Sequence, residues 1–165
     1  MGTTLDLAAI RSLPIRHEAK VLDDFIDING HMNITHYLRL GAEAVDLVLR
    51  AAGMDDHYRD VDHLSSFAVE HHLRYHAEMR LGERISVYPQ LLARSERAAH
   101  VMVYLVDDTN ERLANTLEAV LVHVDMVERR SVRFPDEVAA VLDRILGEHA
   151  EVLDPPVCGV MGLGR

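Results

Sequence analysis

The chain has 165 residues, of which 48% are hydrophobic and 27% charged, and its formal net charge is −10. This length fits one ordinary domain with a real hydrophobic core. The acidic balance predicts no nucleic-acid partner, and the absence of any apolar run near the roughly 18 residues of a membrane span predicts no membrane insertion.

The first third of the chain predicts a lead-in, one strand and one long helix. Residues 1–15 form the lead-in, and the β-branched and apolar residues of 16–26 predict a first strand. Over 34–52 apolar residues recur at spacings of three and four, which is typical of a helix. The apolar stripe is wide, so we expect this helix to be largely buried, with Asn33 as its N-cap and Gly53 just past its end.

The rest of the chain predicts an antiparallel sheet, a second helix and an irregular tail. Strands are predicted over 67–75, 85–92, 98–106 and 113–124. Short turns separate the strands, as in an antiparallel meander. Pro135 and the two acidic residues after it predict a C-terminal helix over 135–149, and the prolines and glycines of 154–165 predict an irregular tail.

These elements predict a single α+β domain over 1–165. One long, mostly apolar helix has to be covered, so the antiparallel sheet must curl about it. A curled sheet leaves an open edge strand, which is an aggregation risk unless another chain pairs with it. We therefore expect a homodimer or a dimer of dimers.

The join between the first strand and the central helix carries most of the reactive side chains. The run Asp27-Ile28-Asn29-Gly30-His31-Met32-Asn33 holds an acid, two amides, a glycine and an imidazole. The free N–H groups of a helix's first turn and the helix dipole favour negative charge at this place, including a developing oxyanion. Such donors are worth roughly 3 to 4 kcal/mol in a transition state. Gly30 would let a substrate approach the backbone closely.

This run, read as D-I-N-G-H-M-N-x-x-x-Y, resembles the Asp-x-x-Gly-His-x-Asn…Tyr signature of hotdog-fold acyl thioesterases, the 4-hydroxybenzoyl-CoA thioesterase-like group. The stretch E-x-H-x-x-Y-x-x-E-x-x-x-G over 70–82 is similar to the strand that follows the helix in such enzymes. Ile34 departs from the pattern, since many relatives carry a second Asn there. The resemblance covers 16–127 and implies a hotdog fold and hydrolysis of an acyl-CoA to free acid and coenzyme A.

The resemblance implies catalytic roles for Asp27, Asn29 and His31. Asp27 would attack the thioester carbon or act as base for a water, and the residues leave this choice open. Asn29 and His31 would orient the carboxylate or the water, and the amides around Gly30 and His31 would polarise the carbonyl. Substrate-binding roles are expected for a further set: Gly30, Asn33, Tyr37, Glu70 and Glu78. Asn33 also suits an N-cap, and Tyr37 also suits the helix core.

The acyl group is suggested by a narrower resemblance. The run 66–92, with the tail 155–165, looks most like the bacterial thioesterases that accompany carnitine dehydrogenases and act on betainyl-CoA, which would connect the chain to carnitine metabolism. A trimethylammonium group would be met by aromatic faces and a nearby carboxylate. The side chains available for this are Tyr37, Phe67, Tyr75, Glu70 and Glu78.

Two alternatives stay open. A hotdog enoyl-CoA hydratase or dehydratase also places an Asp and a His before the helix, but such enzymes resemble Asp-x-Asn-Pro-x-His, whereas Gly30 replaces the proline here and His31 comes one residue early. A non-catalytic acyl-CoA sensor on the same fold is the other alternative, although a sensor would not need Asp27.

Cysteine and histidine usage bears on compartment and on metals. Cys158 is the only cysteine, which excludes an internal disulfide and suits a reducing cytoplasm. With no histidine pattern beside it, Cys158 is not predicted to be a nucleophile. On a strand His72 and His76 would lie about 13 Å apart, too far to share one ion. We therefore expect no metal site, and no cofactor apart from the coenzyme A of the substrate.

Overall fold

A computed structural model describes residues 5–163. The helices in this range are α1 (Leu7–Arg11), α2 (Ile34–Ala51), α3 (Asp56–Asp60) and α4 (Asp136–Ala150). The strands are β1 (His17–Lys20), β2 (Leu64–Tyr75), β3 (Arg84–Arg94), β4 (Ala98–Asp107), β5 (Arg112–Asp125) and β6 (Arg130–Ser131). The first four residues of the predicted lead-in and the last two of the predicted tail lie outside the described residues.

The strands form one antiparallel sheet in the order β1-β3-β4-β5-β2, with the short β6 also paired to β5. As predicted, β3, β4 and β5 form a meander. The expectation of a simple meander is wrong for β2, which pairs with β5 and not with β3. The connection over 76–83 is long enough to cross the sheet. The backbone bonds that hold it include Met32 N–H to the Met79 carbonyl at 2.8 Å and Gly82 N–H to the Val21 carbonyl at 2.9 Å.

Helix α2 packs on the face of the sheet that we call the inner face, and its ends agree with the prediction. Asn33 caps its first turn, and Gly53 follows its end with a φ of +90°. The helix comes so close to β5 that a Cβ atom on Gly41 would lie 2.6 Å from Leu117 Cδ2. The buried side chains of α2 are Tyr37, Leu40, Ala44, Val45 and Val48.

The expectation that α2 is covered all round is wrong for the single chain. Ile34 and Leu38, one turn apart, are 61% and 37% exposed, and Ala42 continues the same stripe. One curved sheet covers only the side of the helix that packs against it, so this apolar stripe is left open to solvent.

The first strand is shorter than predicted. β1 pairs with β3 over four residues only, and the chain then makes a single 3-10 turn over Asp23–Phe25. Two consecutive aspartates are poor strand formers. The turn carries Phe25 into the main core, where it is buried.

A β-bulge at Val69 changes the predicted alternation in β2. Ala68 lies opposite Leu121, but Glu70 lies opposite Val120, so β2 uses two residues where β5 uses one. An extra residue turns every later side chain to the other face. Simple alternation would place Phe67 on the same face as His71, Leu73 and Tyr75. Because of the bulge, Phe67 lies on the opposite face from these three residues.

The outer face of the sheet has its own small core. Tyr88, Met102 and Tyr104 are buried there beneath α1 and the tail. The predicted lead-in contains α1, which Asp6 caps at the Ala8 N–H and which buries Ile10 completely. The tail up to residue 163 contains no helix or strand. The irregular segment begins earlier than predicted, directly after α4, and its Val152 and Leu153 pack against the same cluster. We call 151–163 the tail.

Helix α4 closes the end of the main core with Val138, Leu142 and Ile145. Its bounds lie within one residue of the prediction. The α+β class, with a curled antiparallel sheet around a long helix and a further C-terminal helix, is confirmed. Among residues 5–163, none of the helices combines the length and the apolar character that crossing a bilayer requires.

We expect Val48→Asp to prevent stable folding. Val48 is 1% exposed inside the main core, and a carboxylate there would be an unpaired buried charge, which costs at least about 3 kcal/mol. Urea denaturation and the soluble fraction on expression would measure the effect. Ala51→Asp is the matched control, since Ala51 is exposed on the same helix and should lose less than about 1 kcal/mol. Cooperative unfolding of Val48→Asp near the wild-type midpoint would show that α2 is not central.

Candidate active site

The segment Asp27–His31 forms a tight turn between the 3-10 turn and α2. The Asp27 carboxylate accepts a hydrogen bond from the Asn29 amide at 2.8 Å, and the Asp27 carbonyl accepts one from the Gly30 amide at 3.0 Å. The Asp27 amide donates to the His31 carbonyl at 3.0 Å, which closes the turn. Gly30 has a φ of +80°, a conformation that favours glycine. Apart from its chain neighbours, no atom of residues 5–163 lies within 4 Å of where a Cβ would be.

Backbone bonds on both sides fix this turn to the start of α2. Met32 N–H donates to the Met79 carbonyl at 2.8 Å, and Asn33 N–H donates to the Phe25 carbonyl at 2.8 Å. The Asn33 side chain accepts from the Thr35 amide at 3.0 Å and from its hydroxyl at 2.8 Å. These contacts give Asn33 the N-cap role and occupy its side-chain oxygen.

A cavity of about 270 Å³ opens beside the turn. It is lined by His31, Met32, Ile34, Tyr37, Tyr75, His76, Ala77 and Glu78. The structure thus brings together three of the predicted residues, His31, Tyr37 and Glu78, although Glu78 lies far from the other two in the sequence. The cavity lies next to the uncovered stripe of α2, since Ile34 belongs to both.

Tyr37 forms the wall of the cavity and also supports the backbone behind it. Its ring meets the ring of Tyr75 edge to face, with centroids 5.2 Å apart. Its hydroxyl accepts a hydrogen bond from the buried Met79 amide at 3.1 Å. Burial raises the pKa of the Tyr37 hydroxyl above its ordinary value, so the group is a neutral phenol at neutral pH.

Glu78 supplies a negative charge at the rim of the cavity. A hydrogen bond from Arg80 Nε at 2.9 Å lowers the pKa of the Glu78 carboxyl below its ordinary value, and the charges of Arg80, His31 and Arg112 act in the same direction. Glu78 is therefore ionised at neutral pH. It is solvent-exposed, so a bound cation could reach it from the cavity mouth.

Some predicted site residues lie outside this cavity. Asp27, Asn29 and Gly30 stand on the adjoining turn. The Gly30 N–H already donates to the Asp27 carbonyl, so its expected part in polarising the substrate carbonyl stays a prediction. Glu70 lies opposite Val120, where the bulge at Val69 turns it to the outer face of the sheet. Glu70 does not reach the cavity within the single chain, and its contact with substrate stays a prediction.

His76 also lines the cavity, although the sequence pattern indicates it only as a possible metal ligand. Its Nε2 lies 3.3 Å from Thr116 Oγ1. Burial lowers the pKa of His76 below its ordinary value, aided by the charge of Arg74, so the ring is neutral at neutral pH. The only sequence feature that indicates a place for His76 in the site is its position directly after Tyr75, the last residue of β2.

A larger cavity of about 750 Å³ lies at the opposite edge of the sheet, between β1, β3 and α1. Several of its charges are already paired: Arg11 Nη1 bonds Glu111 at 2.7 Å and Arg16 bonds Glu18 at 2.9 Å. None of the predicted catalytic residues lines it. The smaller cavity beside the turn is therefore the candidate active site.

Comparison with known proteins bears on this site. Residues 21–142 match the model of the Thioesterase-like superfamily. A protein from Agrobacterium fabrum named L-carnitine dehydrogenase/betainyl-CoA thioesterase is 35% identical over 133 residues, which are 80% of this chain but 27% of that protein. The chain thus spans about a quarter of that relative's length. The Betainyl-CoA thioesterase of Pseudomonas aeruginosa is 30% identical over 148 residues, or 89% of this chain and 93% of that protein.

Solved structures share the fold at lower identity. A protein from Staphylococcus aureus in complex with CoA aligns with a TM-score of 0.82 and 21% identity, over 92% of this chain and 94% of that one. A 1,4-dihydroxy-2-naphthoyl-CoA thioesterase from Synechocystis aligns with a TM-score of 0.69 and 15% identity, over 78% and 95% of the two chains. These likenesses establish the fold.

The contacts of Asn33 predict a stability test of its capping role. Asn33→Ala should lower the free energy of unfolding by about 1 kcal/mol, because the Thr35 amide loses its acceptor. Asn33→Ser should recover most of this loss, since a serine hydroxyl caps equally well but offers no amide to a substrate. Urea denaturation of the three proteins would measure both effects. Equal losses in the two variants would contradict the capping role.

Proposed function

Because the chain belongs to the Thioesterase-like superfamily, we propose that it is an acyl-CoA thioesterase, which hydrolyses a thioester to a free acid and coenzyme A. The observation that carries this proposal is the position of Asp27. Its carboxylate is held by the Asn29 amide in a turn whose last residue, His31, lines the candidate active site. The proposed reactive carboxylate thus lies in the turn before α2, and this turn ends at the cavity.

Asp27 starts the reaction by one of two routes. As a nucleophile, a carboxylate oxygen attacks the carbonyl carbon, the C–S bond breaks, the thiol leaves, and water hydrolyses the resulting mixed anhydride. As a base, Asp27 takes a proton from the water that attacks the same carbon. The bond from the Asn29 amide uses Oδ1 and, within the described contacts, leaves Oδ2 for either step.

The neighbouring residues position the reacting groups. His31 bridges the turn and the cavity and would orient the carbonyl or the water. Its backbone amide would donate to the developing oxyanion, since the Gly30 amide is already bound within the turn. The dipole of α2 adds partial positive charge at the same place. Asn29 keeps the carboxylate in a fixed orientation through its amide.

We propose betainyl-CoA as the acyl substrate. A volume of about 270 Å³ lies below the usual range of roughly 300 to 1,000 Å³ for drug-sized ligands, which favours a short acyl group. Two tyrosine rings, Tyr37 and Tyr75, and the ionised Glu78 surround this space. Aromatic faces with a nearby carboxylate attract a quaternary ammonium group. The name of the relative from Pseudomonas aeruginosa, Betainyl-CoA thioesterase, supports the same substrate.

We propose further that the working form is a homodimer, alone or as half of a dimer of dimers, joined through β2. This strand is the last of the sheet and pairs only with β5 within the described residues. It is 12 residues long and exposes Phe67, Val69 and Tyr75. A long, apolar, unpaired edge is a template for another chain. A second copy paired here would also lie next to the mouth of the candidate active site, through Tyr75.

Replacing Asp27 with Asn tests the catalytic assignment. Asn suits the turn as well as Asp does, so the fold should survive, but a neutral amide can neither attack a carbonyl nor accept a proton from water. We expect turnover to fall at least about 100-fold in a thiol-release assay with betainyl-CoA. His31→Ala should lose less, because His31 positions and does not react.

The matched control is Asp24→Asn, an exposed acid in the 3-10 turn just before the site, which should keep near wild-type turnover. If folded, dimeric Asp27→Asn still released thiol at a near wild-type rate, the assignment would be wrong and Glu78 would be the next candidate. A wild-type protein that released no thiol from any acyl-CoA would instead favour the sensor alternative.

The acyl group can be tested with a neutral isostere. We expect faster thiol release from betainyl-CoA than from 3,3-dimethylbutyryl-CoA, in which carbon replaces the ammonium nitrogen. Glu78→Gln should raise KM for the betainyl substrate and leave KM for the isostere unchanged, because only the cation is attracted by the lost charge. A panel of aromatic and long-chain thioesters completes the comparison. A preference for the neutral isostere would exclude betainyl-CoA while leaving the thioesterase proposal intact.

The dimer predicts a measurable mass. Light scattering at micromolar concentration should give at least twice the chain mass of 18.6 kDa. Val69→Lys should shift the population toward monomer, since a charge on an edge strand opposes pairing. Val61→Lys is the control, because Val61 is similarly exposed but lies outside every strand. A monomeric wild-type protein would rule out the shared interface.

A further inference from the structure

The outer face of the sheet holds a cluster of metal-ligating side chains that the proposed chemistry does not use. His72 on β2 lies directly opposite Glu118 on β5, and the tail brings Cys158 over the same place. One ligand atom from each of these three residues lies within 4.8 Å of the other two. Glu118 lies opposite Met102 of the outer core, so the cluster is on the opposite face from α2.

Glu118 is a buried carboxylate with defined partners. It is 1% exposed, its Oε1 lies 2.8 Å from His100 Nε2, and its Oε2 accepts a hydrogen bond from the Cys158 amide at 2.7 Å. Burial by itself raises the pKa of Glu118, but the hydrogen bonds from Cys158 and His100 outweigh it, and the pKa lies below its ordinary value. These two partners compensate the cost of burying the carboxylate.

We propose that His72, Glu118 and Cys158 form a binding site for a divalent transition metal, with Zn²⁺ as the best match. Imidazole nitrogen, carboxylate oxygen and thiolate sulfur are the three ligand types that zinc prefers in proteins. One carboxylate and one thiolate also neutralise the charge of a divalent ion. A fourth position would be open to water.

The distances fit a site that closes on its ion. Ligands about 2.0 to 2.3 Å from a tetrahedral zinc lie roughly 3.3 to 3.8 Å from each other. The three side chains therefore need to approach by about an ångström, which rotation of the partly buried His72 and Cys158 can supply. His100 would then act as the outer partner that orients the ligating carboxylate, as second-layer groups do at metal sites.

The consequence of such a site is structural. The tail has polar anchors to the outer face, including the bond from Gln90 Nε2 to the Leu153 carbonyl at 3.0 Å and the bond from the Cys158 amide to Glu118. A metal shared by Cys158 and two strand residues would fasten the tail to β2 and β5. The site lies on the opposite face of the sheet from the candidate active site, and it does not depend on the proposed thioesterase activity.

Cobalt is a direct probe, because a thiolate ligand gives Co²⁺ a charge-transfer band in the near ultraviolet. The full chain, freed of metal with a chelator, should develop this band and saturate at one Co²⁺ per chain, and Zn²⁺ should abolish the band by displacement. Cys158→Ser should lose the band. His100→Ala should keep it but weaken affinity about 10- to 100-fold, as is usual for an outer partner.

His72→Gln provides a second ligand variant, and His71→Gln is its matched control. His71 is the neighbouring residue on β2 and lies opposite Ala119, on the inner face, so its loss should leave the band and the affinity unchanged. Hydrogen exchange gives an independent measurement: Zn²⁺ should slow exchange over 151–163 in the wild type and not in Cys158→Ser. Absence of the band in the wild type, or equal Zn²⁺ affinity in the wild type, Cys158→Ser and His72→Gln, would overturn the proposal.

Discussion

The close approach of α2 to the sheet at Gly41 is the constraint on which the rest of the structure depends. A Cβ atom there would meet Leu117 Cδ2 at 2.6 Å, so glycine lets the helix axis lie against β5. That approach fixes the buried stripe of α2 against β3, β4 and β5 and leaves the stripe of Ile34 and Leu38 open. Because the helix is held along its length, its first residue is also held, and the turn before it has a defined position.

The candidate active site follows from where the backbone bonds go. The turn over Asp27–His31 is exposed, yet the residues after it donate inward to Phe25 and Met79, on two different segments. From the helix, the Tyr37 hydroxyl accepts a hydrogen bond from the N–H of the same residue, Met79. The Asp27 carboxylate on such a support keeps its orientation without being fully buried. The uncovered side of α2 meets the unpaired edge of β2 at this point, which is why a second chain and a substrate would approach the same region.

The two faces of the sheet do different work. The inner face packs on α2 and borders the candidate active site, while the outer face is covered by α1 and by the tail. Buried polar groups on the outer face bind the tail, through Gln90 and Glu118. Burying a carboxylate lowers the stability of the fold unless the group is paired, so the polar contacts of Glu118 are needed to offset this cost. The proposed metal would add a direct link between the strands β2 and β5 and the tail.

The sequence by itself determined the features that depend on local pattern. The limits of α2, its caps at Asn33 and Gly53, the strands β3 to β5, the helix α4 and the turn at Asp27 all follow from spacing and turn chemistry within a few residues. Only the tertiary structure decided how distant segments meet. The crossing of β2 to β5, the bulge at Val69 that turns Glu70 outward, the place of His76 in the cavity and the meeting of His72, Glu118 and Cys158 depend on strand order and register. One inserted residue reverses the faces of a strand, and no local pattern records which partner strand it will face.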